Sequence, residues 1–104
     1  MVYFITDGEN IKIGYTRGKP ENRLKQLNTG NDKKLFLLGY IQGNKNKEKE
    51  LHTKFNKNRI RNNGEWFVAS DELMDFINEY NNIPNTYVFK NELLNDFVMA
   101  TTKI

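Results

Sequence analysis

Tyr3 and Lys12 fall on one face of a short β-hairpin, and Glu48 and His52 stand four residues apart on a lysine-rich helix. A phenol beside an ammonium can hold or pass a proton, and a carboxylate with an imidazole one turn on can meet a cation or a phosphate. Together they suit cleavage of a phosphodiester. The hairpin is legible from Val2 to Tyr15, where two apolar-rich runs flank the polar turn Asp7-Gly8-Glu9. If Gly8-Glu9 form the loop, Tyr3 faces Gly14 with Lys12 on the diagonal; if Asp7-Gly8 do, Tyr3 faces Lys12. Side chains alternate across a strand, so either register leaves phenol and amine on the same face.

The remaining elements must bring the helical pair to that hairpin. Pro20 and Glu21 open a first helix whose inner face carries Leu24 and Leu27, and Thr29 to Asp32 stops it. Leu35 to Ile41 is an apolar run of strand length, which suggests a central strand buried on both faces. Asn46 to Asn58 reads as the second helix, anchored by Leu51 and Phe55. A basic, Asn-rich loop from Arg59 to Gly64 leads to a short strand over Glu65 to Ala69. Trp66 and Phe67 point to opposite sides of that strand. Ser70 caps a third helix with Leu73, Phe76, Ile77 and Tyr80 on its apolar face. Beyond Pro84, Thr86 to Phe89 reads as a strand and Asn91 to Val98 as a short helix. The order predicts an α+β fold, a small three-stranded antiparallel sheet flanked by helices. Residues 1–82 form the domain, and 83–104 an extension packing on it or on a partner.

Composition bounds the chemistry. A chain of 104 residues is one small domain. With no cysteine and one histidine, disulfides, thiolate nucleophiles and the usual three-ligand zinc sites are excluded. Ser70 is the only serine and sits at a helix start, which argues against a Ser-His-Asp hydrolase. No Gly-rich Lys-Ser/Thr loop cradles nucleotide phosphates. There is no long apolar run and no secretory leader, so the expectation is a soluble cytoplasmic protein without a membrane span. The net charge of +3 is unevenly spread: residues 1–62 hold fourteen Lys and Arg against six Asp and Glu, whereas residues 63–104 hold two against seven. The basic part carries the candidate site, as expected if it meets an anionic polymer. Tyr15, Arg17, Arg59 and Arg61 are candidate contacts to a nucleic-acid backbone, positioning it without reading its sequence.

The order Tyr3, Lys12-Ile13-Gly14, Arg23, Glu48, His52 and Glu65-Trp66-Phe67 resembles the GIY-YIG nuclease superfamily. More narrowly, it is similar to the branch common in phages and large DNA viruses. There the second half of the signature reads Lys-Ile-Gly, an Arg-Leu-x-x-Leu helix follows, and a Glu-x-x-x-His helix leads into Glu-Trp-Phe. The resemblance spans about residues 2–77. It implies a DNA endonuclease with one Mg²⁺ (Mn²⁺ substituting) on Glu48, Tyr3 as general base and Arg23 on the scissile phosphate. A hard cation with few protein ligands and a planar guanidinium fork agree with those roles.

A free phenol, with a pKa of about 10, is a poor base at neutral pH. A cation about 4 Å away at an effective dielectric near 20 would favour phenolate by roughly 4 kcal/mol, so Lys12 is expected to lower the Tyr3 pKa. For His52, proton donor to the leaving oxygen, phosphate ligand and support for the metal site all stand open. Glu65 is weighed equally as a polar contact near the site and as a surface residue. RNA is a possible substrate beside DNA, and the chain is expected as a monomer or homodimer. The alternative to an enzyme is a non-catalytic module that binds nucleic acid or protein on the same fold.

Overall fold

The computed structural model describes residues 1–30 and 32–80; the strand and helix expected over Thr86–Phe89 and Asn91–Val98, and the extension 83–104, lie outside them. Strands β1 (Val2–Thr6) and β2 (Asn10–Tyr15) pair antiparallel with Tyr3 opposite Gly14 and Ile5 opposite Lys12. This is the register of a Gly8-Glu9 loop. Side chains fix it: Asp7 Oδ1 accepts the Glu9 and Asn10 amides at 2.9 and 2.8 Å, while Thr6 Oγ1 accepts the Gly8 amide at 2.9 Å. Gly8, at φ +96°, takes the left-handed conformation this turn requires.

Helix α1 (Pro20–Asn28) crosses one face, and β3 (Phe36–Ile41) returns antiparallel to the far side of β1. Helix α2 (Lys45–Lys54) and a 3₁₀ turn at Asn56–Asn58 precede β4 (Trp66–Val68), and α3 (Asp71–Tyr80) follows. The sheet order is β3-β1-β2-β4, so the architecture is α+β as expected but with four strands rather than three. The fourth member is Trp66–Val68, the short strand expected over Glu65 to Ala69, which joins the sheet by pairing with Asn10–Lys12.

Two further expectations change. The apolar Leu35–Ile41 run forms an edge strand, not a central one, and Leu38 is the extra residue of a bulge opposite the Phe4–Ile5 step. Its apolar character has another cause: α1 and α3 both pack on it, covering the strand from either side. The second helix ends at Lys54 rather than at Asn58, because Phe55, at φ −103° and ψ 19°, leaves the helical conformation as it enters the core.

The sheet separates two apolar clusters. Tyr3, Ile5 and Leu35 pack with Leu24 and Leu27 of α1, beside Trp66. On the opposite face Phe4, Ile13 and Phe67 meet Leu51, Phe55, Leu73 and Ile77 of α2, α3 and the turn after α2. Leu51 is the one buried residue of α2, whose circumference is otherwise polar. Capping compensates: Asn44 Oδ1 accepts the Asn46 and Lys47 amides at 3.0 and 3.1 Å. Ser70 likewise caps α3 through the Leu73 amide.

Because β4 is three residues long, its pairing with β2 stops at Lys12. The Ile13 amide donates to the Glu65 carbonyl at 2.9 Å, and beyond that point the outer edge of β2 has no strand beside it among the described residues. At this open edge the Tyr3 ring lies across Gly14; a Cβ on Gly14 would fall on the ring and its hydroxyl, well inside contact. Gly14→Ala is therefore expected to cost about 1–3 kcal/mol by overpacking, read as a lower denaturation midpoint. An unchanged midpoint would mean that the ring does not lie where it is described.

Candidate active site at the open edge of the second strand

Four elements reach the open edge from different directions. Tyr3 extends over Gly14 from one face of the sheet, and α1 on that face supplies Arg23. From the other face α2 supplies Glu48 and His52, one turn apart. Glu65 arrives with the chain entering β4 and ties down the strand by accepting the Ile13 amide with its carbonyl. His52 completes the same residue, its Nε2–H donating to the Ile13 carbonyl at 2.8 Å. A carbonyl only accepts, so Nε2 carries the proton and the lone pair of the neutral ring resides on Nδ1. The Nε2 proton is thereby committed to the backbone. Of the three roles open to His52, proton donor and phosphate ligand both need an N–H beyond the one given to Ile13, so support for the metal site, with the Nδ1 lone pair available, fits this bond best.

Glu48, His52 and Glu65 each place a potential ligand atom within 4.8 Å of the other two, and all three are half-buried. Two carboxylates and an imidazole at that spacing suit a divalent cation. The electrostatics of the protein alone point the same way. Burial raises the Glu48 pKa, the Glu65 charge raises it further, and His52, Lys45 and Lys12 draw it partly back. Glu48 is thus a carboxylate short of positive charge, which a cation would relieve.

Tyr3 is 1% exposed. Burial lifts its pKa above the ordinary phenol value; a hydrogen bond with Arg23 and the Arg23 charge oppose this, and Glu65 and Glu48 add to it. The expectation that Lys12 brings the phenol down is therefore corrected: the cation acting on Tyr3 is Arg23, and the net direction is upward. The reason lies in the register, which puts Lys12 opposite Ile5 rather than Tyr3, and in a competing acid. Lys12 Nζ stands 3.4 Å from Glu65 Oε2, with 13% of its side chain exposed, and 5.8 Å from the centre of the Trp66 ring.

Tyr3, Lys12, Arg23, Glu48 and His52 are thus drawn into one neighbourhood, and Glu65 joins them. Lys45 was not anticipated, although its place one turn before Glu48 was a readable signal. The expected backbone contacts divide. Tyr15 and Arg17 line a hollow with Asn44, Lys45 and Asn46 at the start of α2, and Arg59 lines another with Lys49, His52, Thr53 and Asn63. Arg61 stands apart in a hollow near the hairpin tip with Asp7, Asn10 and Trp66.

Comparison with known proteins gives one family: the T5orf172 domain matches residues 1–94. Neither curated proteins nor solved structures yield a match.

The raised Glu48 pKa has a consequence for stability. The folded protein holds this proton more tightly than the unfolded chain, so the contribution of Glu48 is present at low pH and lost as pH rises through its folded value. Glu48→Gln should therefore unfold at a higher urea concentration than wild type at pH 7, with the gap narrowing as pH falls through the carboxylate range. Added Mn²⁺ should stabilise wild type and not the variant. A variant less stable than wild type at pH 7 without metal, or equally stabilised by Mn²⁺, contradicts this assignment.

Proposed function

The chain belongs to the T5orf172 domain family, a phage-associated family of the nuclease-related group, and on that basis we propose that it is a GIY-YIG-type endonuclease hydrolysing DNA phosphodiesters with one divalent cation. The observation that carries this reading is the convergence of Tyr3, Arg23, Glu48, His52 and Glu65 at the open edge of β2. Glu48, His52 and Glu65 would hold Mg²⁺ or Mn²⁺. Such an ion supplies positive charge to the phosphate oxygens and offsets the two carboxylates that push the phenol upward.

Arg23, whose Nη1 donates to Gln26 Oε1 at 3.1 Å and whose charge acts on the Tyr3 phenol, would offer its guanidinium to the scissile phosphate, where charge accumulates as phosphorus is attacked. Tyr3 rests as a neutral phenol, and only its phenolate can accept the proton of an attacking water. That proton passes to the Tyr3 phenolate Oη as the new P–O bond forms, and the bond to the leaving deoxyribose oxygen breaks, the departing oxygen taking a proton from solvent. Activity should consequently climb with pH, because the base form grows more abundant. Lys12 holds Glu65 in place, a positioning role in this scheme. The protein is proposed to act inside the cell on DNA, as monomer or homodimer.

One observation favours the second reading, a module that binds nucleic acid without cutting it: the near-complete burial of Tyr3. Supercoiled plasmid with Mg²⁺ or Mn²⁺ separates the two. Wild type is expected to nick it, and Glu48→Ala, Arg23→Ala and Tyr3→Phe each to lose at least ~100-fold in rate. Retention of plasmid without nicking, or undiminished nicking by Glu48→Ala, overturns the enzyme.

A further inference from the structure

Lys45, Glu48, Lys49 and His52 occupy positions i, i+3, i+4 and i+7 of α2 and so share one stripe of that helix. The hollow holding Arg17 and Lys45 lies at the start of this stripe, and the hollow holding Lys49 and Arg59 lies at its end beside His52. Neither hollow is lined by a carboxylate. Other hollows differ in this respect: the one at Arg61 includes Asp7, the one at Lys19 includes Glu21, and the one at Lys54 includes Glu72, Asp75 and Glu79. Neither Arg17, Lys49 nor Arg59 joins an ion pair among the described residues.

Arg59 is moreover held in place without an acid. Its guanidinium lies 5.5 Å from the centre of the Phe67 ring, and its buried Nε has no hydrogen-bond partner. A cation kept stiff by stacking, lining an open hollow with no acid in it, is prepared for an anion from outside. From Lys45 to His52 the helix rises roughly 11 Å at 1.5 Å per residue. At about 3.4 Å of duplex axis per phosphate of one strand, that length covers roughly three phosphate-to-phosphate steps.

Building on the nucleic-acid reading above, we propose that one strand of the nucleic acid runs along α2. One backbone phosphate lies in the hollow of Arg17 and Lys45 and another in the hollow of Lys49 and Arg59, so that the phosphates between them pass Glu48. The contacts are to the backbone and carry no sequence preference.

The test is fluorescence anisotropy of a labelled DNA duplex in EDTA, at several salt concentrations, with the full chain. Arg17→Ala, Lys49→Ala and Arg59→Gln are each expected to weaken binding three- to tenfold for any sequence and to reduce the salt slope by about 0.9. Lys57→Ala removes a cation that already pairs with Glu72 at 3.1 Å and should change affinity less than twofold. Circular dichroism checks that Arg59→Gln still folds, and Lys49→Ala probes the same hollow without touching the core. Track variants that bind like wild type, an equal loss in Lys57→Ala, or wild type without salt-sensitive binding each overturn the proposal. Because EDTA prevents cutting, the two readings fail separately. Binding along the track without any nicking removes the nuclease alone; nicking with unweakened track variants removes the track alone.

Discussion

The site depends on an interrupted sheet edge. A strand edge presents amides and carbonyls that must be satisfied, and β4 supplies partners to β2 only as far as Lys12. At Ile13 the task passes to the Glu65 carbonyl and the His52 imidazole. The two bonds that close the edge therefore also deliver an imidazole and a carboxylate-bearing residue to one place. Were β4 two residues longer at its start, a strand would occupy the space into which Tyr3, Glu48 and His52 converge. Gly14 matters for the same reason, since its missing side chain is the space the phenol ring crosses.

Electrostatics give that place its chemical character. Two carboxylates share a half-buried neighbourhood with a buried phenol, and both acids raise the Tyr3 pKa while Glu65 raises that of Glu48. Lys12 and Arg23 supply the local balance, Lys12 through its ion pair with Glu65 and Arg23 through the phenol. The remaining want of positive charge distinguishes the cluster from an ordinary surface salt bridge, whose partners neutralise each other. Outside it, Arg17, Lys49 and Arg59 join no ion pair among the described residues, so the acidic centre is set beside basic groups.

Much of this was readable from residue order. The hairpin, the three helices, the Ser70 cap and the pairing of Glu48 with His52 follow from alternation, end signals and i, i+4 spacing, whereas the gathering of Tyr3, Arg23 and Glu48 was expected from the family resemblance. The strand count, the place of Leu35–Ile41 and the end of α2 did not. An apolar run looks the same in a central strand and in an edge strand covered by two helices, and no local signal at Phe55 announces that its ring must leave the helix to fill the core. The partner of Lys12 was also invisible, because it depends on a contact 53 residues away in sequence. Glu65 was in view but undecided, since a carboxylate at a strand start is ambiguous until the opposite edge is known.

The most direct measurement is anomalous diffraction from crystals of the protein grown with Mn²⁺. The account predicts a single anomalous peak at the open edge of β2, in contact with Glu48 and with His52 or Glu65, and no Lys12 ammonium between them. Mn²⁺ bound elsewhere, or a Glu48 carboxylate turned away from the Tyr3 hydroxyl, would contradict it.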